Sequence, residues 1–124
     1  MKLKLAIKRA YEPAARADGY RILVDRLWPR GVKREALAID EWAKAIAPST
    51  ALRREFHHDP ERWKDFLIRY AVELEMEAAK PDLERLRKLA RTKMVTLVYA
   101  ARDDQYNNAA ALLFILENRP ARGP

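Results

Sequence analysis

Arg21-Ile22-Leu23-Val24-Asp25, continued by Arg26-Leu27-Trp28-Pro29-Arg30-Gly31, is the stretch from which the fold is read. Its opening is short, apolar and β-branched, as in a strand buried on both faces of a sheet. Pro29 and Gly31 then break it. Met94-Val95-Thr96-Leu97-Val98-Tyr99 is a second run of the same kind, ending at Ala100-Ala101-Arg102-Asp103. These two runs are the expected central strands. Upstream, Lys2, Lys4 and Lys8 alternate with Leu3, Leu5 and Ile7, the period of two of a half-buried strand. Lysines along one face suit a sheet edge, where charge discourages pairing with another molecule. A loop rich in Pro, Ala, Asp and Gly follows, from Glu12 to Gly19.

Between the two central runs the pattern is helical. Asp40 to Ala47 reads as a short amphipathic helix stopped at Pro48, and Ser49 is placed to cap the next, which bears Leu52 and Phe56. Asp59-Pro60-Glu61 combines an N-cap acid, a proline at the first helical position and a second acid in the first turn. From there Trp63, Phe66, Leu67, Tyr70 and Leu74 share one helical face. Pro81 opens a further helix with Leu83, Leu86 and Leu89 inward. A last helix is expected from about Gln105 to Glu117, ending before Pro120. This order predicts an α/β fold, a compact sandwich of helices on a small, mainly parallel sheet. Strand order does not follow from it.

A chain of 124 residues is the size of one domain, expected over residues 1–118 with a short tail at 119–124. Folding at that length removes roughly two-thirds of the unfolded surface from water. With no cysteine, disulfides, thiolate nucleophiles, iron–sulfur clusters and cysteine–zinc sites are excluded. The N-terminal alternation is unlike a signal peptide, and no apolar run approaches the roughly 18 residues of a membrane span. The expectation is a soluble cytoplasmic protein with no membrane partner. The net charge of +7 favours anionic partners: nucleic acid, phosphorylated metabolites or an anionic membrane surface. The basic residues are nevertheless mixed with acids, as in Glu84-Arg85-Leu86-Arg87-Lys88, which reads as solvated surface.

In parallel α/β sheets, ligands bind outside the carboxyl ends of the strands. Two segments occupy such ends. In the first, Arg26 and Arg30 each carry a forked guanidinium suited to phosphate or carboxylate, and Trp28 can stack on a planar group. The structural alternative is an Asp25–Arg ion pair with Trp28 as a lid on the core. In the second, Asn107 and Asn108 stand near a helix N-terminus, where free N–H groups favour an anion. Ordinary capping by Asp103 or Asn107 explains the same residues. His57-His58-Asp59 invites a metal reading. Adjacent helical residues point about 100° apart, however, and no third ligand is evident, so no metal is expected. No motif implies a cofactor: the dinucleotide-binding glycine loop, the phosphate-binding loop and the Gly-x-Ser-x-Gly elbow are all absent.

Several of these strings resemble the YeaO-like proteins, a bacterial and archaeal family known as a domain of unknown function. The strings are Tyr20 to Gly31 with its Leu-Trp-Pro-Arg-Gly core, Asp40-Glu41-Trp42, Ala47-Pro48-Ser49-Thr50, the segment from Phe56 to Trp63, and Tyr99-Ala100-Ala101-Arg102-Asp103. The resemblance runs from about Lys4 to Leu116 and implies an α/β/α sandwich without an established activity. Distant members of the family carry Cys-His-Arg at the positions of Asn107-Asn108-Ala109 and Cys at that of Tyr99, and closer ones carry His at Asn108. By that comparison this chain lacks those reactive groups.

The resulting expectation is an anionic small-molecule site in which Arg26 and Arg30 hold charge, Trp28 forms a wall, and Asn107 and Asn108 add donors. If the site is catalytic, Asp25 or Asp103 is the expected proton carrier, with His57 or His58 as further candidates. The alternatives are a basic nucleic-acid-binding protein and a structural or partner-binding domain without a ligand.

Overall fold

The computed structural model describes residues 2–57 and 59–118. Among these, strands β1 (Leu5–Arg9), β2 (Tyr20–Leu23), β3 (Glu41–Trp42) and β4 (Val95–Tyr99) form one all-parallel sheet in the order β1-β4-β2-β3. The lysine-bearing strand is an edge, and the two β-branched runs are the central pair. Every residue of β4 is buried, because both faces of this strand are covered and both its neighbours hydrogen-bond to it.

The two faces differ. Ile22 and Val24 of the β2 segment and Val95, Leu97 and Tyr99 of β4 point into the larger core. That core is closed by helices α2 (Thr50–Phe56), α3 (Trp63–Leu74), α4 (Lys80–Ala90) and α5 (Asn108–Asn118). The alternate residues Leu23 and Val98 face a smaller core with Ala10 and Leu37, the last from the single-turn helix α1 (Arg34–Leu37). Trp28, Val32, Ile39 and Trp42 pack around it. Beside this smaller core lies a buried polar cluster. Asp18 accepts from Lys8 Nζ at 3.1 Å and from Arg21 Nη1 at 2.6 Å, while Arg21 also donates to the Leu37 carbonyl and Thr96 Oγ1 to the Asp18 carbonyl. Each buried charge therefore has a partner.

Two expectations need correction. The segment from Asp40 to Ala47 is not a helix. Asp40 N and Ala43 N donate to the carbonyls of Arg21 and Leu23, so the chain pairs with the open side of β2 as β3 before a 3-10 turn at Lys44–Ile46. The spacing of Ile39, Trp42, Ala43 and Ile46 fits a helical face equally well, and the unpaired amides of β2 decide the outcome. Helix α5 begins at Asn108, not near Gln105, because Asp103 Oδ1 accepts from the N–H groups of Gln105 and Tyr106 and holds a turn there. The expected tail at residues 119–124 lies outside the described residues.

Candidate functional site

Beyond the carboxyl ends of β2 and β4 the two chains diverge around a cleft of about 650 Å³. The β2 exit supplies Asp25, Arg26, Leu27, Trp28, Pro29 and Arg30 to its lining. Ala100, Ala101 and Arg102 come from the β4 exit and Asn108 from the first residue of α5. Helix α2 and its cap add Thr50, Arg53, Arg54, Phe56 and His57, and Tyr11 reaches in from the loop after β1.

Asp25 ties these elements together. Its carboxylate accepts from Ala100 N at 3.0 Å and from Asn108 Nδ2 at 2.8 Å, and its carbonyl accepts from Trp42 Nε1 at 2.7 Å. Asn108 Nδ2 also reaches the Val24 carbonyl at 3.1 Å. One aspartate thus joins the β2 exit, the β4 exit, β3 and the start of α5. Arg9 braces the same corner from β1, donating from Nε to the Ala101 carbonyl at 2.8 Å and from Nη2 to that of Ala100 at 3.3 Å.

Arg26 is half-buried, with Nη2 3.4 Å from the Ala47 carbonyl and Nε enclosed by protein without a hydrogen-bond partner among the described residues. Trp28 belongs both to the smaller core and to the cleft lining. Its Nε1 donates to the Val32 carbonyl at 2.7 Å, and its ring meets Trp42 edge-on at 5.4 Å, so it anchors in the smaller core while lining the cleft. Arg30 is exposed, and its carbonyl accepts from the Tyr11 hydroxyl at 3.0 Å. Arg53, Arg54 and Arg102 are exposed as well, and their side chains carry no hydrogen bond or ion pair to any other described residue. His57 caps α2 in the left-handed conformation, φ 44°, with its N–H donating to the Arg53 carbonyl.

Asp25, Arg26, Trp28, Arg30, His57 and Asn108, all singled out from the sequence, therefore share one cleft. Asp103 and Asn107 do not line it. Asn107 is fully buried, caps α5 by accepting from Ala110 N at 2.7 Å, and donates to the Asp103 carbonyl. His58 lies outside the described residues. Sequence reading missed Tyr11, Thr50, Arg53 and Arg54, and it placed Arg102 at the end of the second central strand without giving it a role. Arg53 and Arg54 sit in the last turn of α2, where a basic pair reads as ordinary helix-end chemistry, and only the docking of α2 beside the β2 exit brings them to the cleft.

No group of three or more His, Cys, Asp or Glu side chains among the described residues could hold a metal ion, and no described helix is long and apolar enough to cross a membrane. Tyr70, fully buried in the larger core, donates to the Ile46 carbonyl, and burial pushes its phenol far above the ordinary range.

An all-parallel α/β domain with an arginine-lined cleft at its strand ends is the class that this structure defines. The chain belongs to the DUF488-N3i family, the inactive DUF488-N3 subclade, whose model matches residues 4–123. It is 44% identical over 110 residues to the uncharacterized protein YeaO of Escherichia coli K12, covering 89% of this chain and 94% of that protein. It is 40% identical over 116 residues to the uncharacterized protein Rv3073c of Mycobacterium tuberculosis H37Rv, covering 94% and 96%. The uncharacterized protein Mb3100c of Mycobacterium bovis matches to the same extent. No solved structure matches significantly.

Proposed function

We propose that this protein binds an anionic small molecule in the strand-end cleft. The observation that carries the reading is the charge of the lining: Arg26, Arg30, Arg53, Arg54 and Arg102 stand around one carboxylate, Asp25, which accepts from Ala100 N and Asn108 Nδ2. Clustered guanidinium groups in a concave site attract phosphate or carboxylate and hold it through paired N–H donors. The volume also suits a metabolite-sized ligand. Trp28 and Tyr11 would wall the ligand, and Arg30, Arg53, Arg54 and Arg102 would meet its charge. Asp103 and Asn107 keep a supporting role, shaping the turn that leads into α5.

Binding is favoured over catalysis. The family is described as inactive, and the side-chain oxygens of Asp25 serve as internal acceptors. If a proton is moved here, Asp25 and His57 are the groups to do it.

The test is a thermal-shift screen of phosphorylated, nucleotide and carboxylate metabolites, run on the parent chain and on Arg53→Ala/Arg54→Ala and Arg26→Ala/Arg30→Ala variants. A ligand selective for the folded state raises the melting temperature with concentration. The expected result is a shift for one ligand class that disappears in both variants. No shift with any class, together with marked destabilisation of Arg26→Ala/Arg30→Ala, would make those arginines structural and end the proposal.

A further inference from the structure

Arginines that hold this fold together are well engaged. Arg21, 3% exposed, pairs with Asp18 at 2.6 Å and donates from two nitrogens to the Leu37 carbonyl. Arg9 reaches the carbonyls of Ala100 and Ala101, and Arg85 forms a two-pronged pair with Glu41. A guanidinium drawn out of water needs such partners.

Arg26 departs from this pattern. It leaves the buried end of β2 and is itself half-buried, yet no carboxylate among the described residues pairs with it. Its only hydrogen bond to a described residue, from Nη2 to the Ala47 carbonyl, is long at 3.4 Å. Nε makes none among the described residues, although protein encloses it. Asp25, adjacent in the chain, directs its oxygens instead to Ala100 N and Asn108 Nδ2. Nε and Nη2 form one edge of the guanidinium, a fork that takes two oxygens of a carboxylate or phosphate in parallel. The under-paired edge is therefore the edge suited to an oxyanion. Enclosed donors without partners are rare in native proteins and costly to keep. This side chain lines the cleft together with Pro48, Phe56 and Phe66, where a bound oxyanion would supply the missing acceptor.

We infer that Arg26 is the anchoring residue of the cleft. On binding, its guanidinium turns from Ala47 into the cleft and grips one oxyanion of the ligand, a carboxylate or a phosphate, through Nε and Nη2. This rests on the anion-site reading and adds to it the arginine that sets selectivity. Arg30, Arg53, Arg54 and Arg102 are exposed and can meet charge on any part of a ligand, whereas half-buried Arg26 selects a group that presents two oxygens to one fork. The free protein keeps this guanidinium at a cost to its own stability, and the bound anion relieves that cost.

The test separates stability from binding. Arg26→Met retains an aliphatic chain and removes the guanidinium. Without ligand the variant is expected to melt no lower than the parent, because an apolar group in place of an under-paired buried donor is neutral or stabilising. Propionate and methyl phosphate are the probes, titrated separately while the arginine Nε–H signals are followed by nuclear magnetic resonance. The Arg26 signal is the one missing from the variant. At least one probe is expected to shift that signal saturably, and to bind Arg26→Met about tenfold or more weakly, read from the remaining arginine signals. The probe that acts identifies the group as carboxylate or phosphate. A markedly less stable Arg26→Met would make the guanidinium structural and overturn the inference. Probe binding that leaves the Arg26 signal unmoved, or that is as tight in the variant, would overturn it too, while the other arginine signals still reported an anion site. If no arginine signal responds to either probe, the anion-site reading falls with it.

Discussion

Gly19 enters β2 at φ +65°, and a Cβ built there would lie 2.4 Å from the Met94 carbonyl oxygen. That oxygen accepts from Tyr20 N, the first residue of β2, so moving it disturbs the register of the central pair. Glycine is therefore required twice, for its backbone conformation and for the space. Gly19→Ala is expected to destabilise the fold by on the order of 2–3 kcal/mol, read as a lower midpoint in urea with an unchanged slope. A loss within a few tenths of a kcal/mol would refute the steric argument. Gly31, at φ +77° with open space around its Cβ position, should lose less on the same change, because only the conformational term applies. At this scale the sequence was informative where residues adjoin a strand. Asp25, Arg26, Trp28 and Arg30 reach the cleft because they follow a buried run directly. Arg102 likewise follows β4 by three residues, whereas Arg53 and Arg54 arrive from α2, and nothing in their neighbours reveals which surface they will share. Asn107 had two readings, and its burial with Ala110 N as donor makes it the cap of α5.

Ser49 links two helices as well as starting one. Its Oγ accepts from Leu52 N at 3.1 Å, which caps α2, and donates to Glu73 Oε2 on α3 at 2.5 Å. Ser49 N donates to Glu73 Oε1 at 2.8 Å, so the carboxylate holds both backbone and side chain. Removing the hydroxyl takes away the cap and one of two bonds to Glu73, whereas removing the carboxylate strips both bonds and leaves the cap. Ser49→Ala is expected to cost about 1–2 kcal/mol, and Glu73→Ala a similar amount. Because both act through Oγ, the double variant should cost clearly less than the two single losses added together, a non-additivity that a double-mutant cycle measures. Simple additivity would mean that the cap and the inter-helix bond are separate. The cap was legible because serine followed by an apolar helical face is a local signal, and Asp59 proved to cap in the same way, accepting from Glu61 N at 3.0 Å. The segment around Glu41–Trp42 misled because two residues of strand have no period of their own. Their conformation comes from β2, nineteen residues earlier.

The order of the sheet belongs to the whole molecule. β4, the last strand in the chain, inserts between β1 and β2, and no local pattern in any of the three specifies that insertion. What holds the β1, β2 and β4 segments together on the smaller-core side is the cluster around Asp18, which gathers Lys8 from β1, Arg21 from β2 and Thr96 from β4. Burial alone would raise the Asp18 carboxyl. The hydrogen bonds from Ala15 N, Lys8 and Arg21, with the charge of Lys8, outweigh it and hold the group below its ordinary value of 3.8. A carboxyl depressed by folding contributes stability that is present above its unfolded value and is lost as pH falls through its folded one. The sheet is therefore expected to lose stability progressively below about pH 4, as protons reach Asp18 and leave the 3% exposed Arg21 without its counter-charge. Asp18→Asn isolates this contribution. At neutral pH it should cost about 3–5 kcal/mol, since it leaves Arg21 and Lys8 facing a neutral amide. The gap between parent and variant should then narrow as the solution is acidified from pH 5 to pH 2, because the parent loses the charge that the variant never had. Urea denaturation of both proteins through that interval reads the difference directly. A gap that stays constant with pH would show that Asp18 supports the sheet by shape and hydrogen bonding alone, with its charge contributing nothing to the joining of β1, β2 and β4.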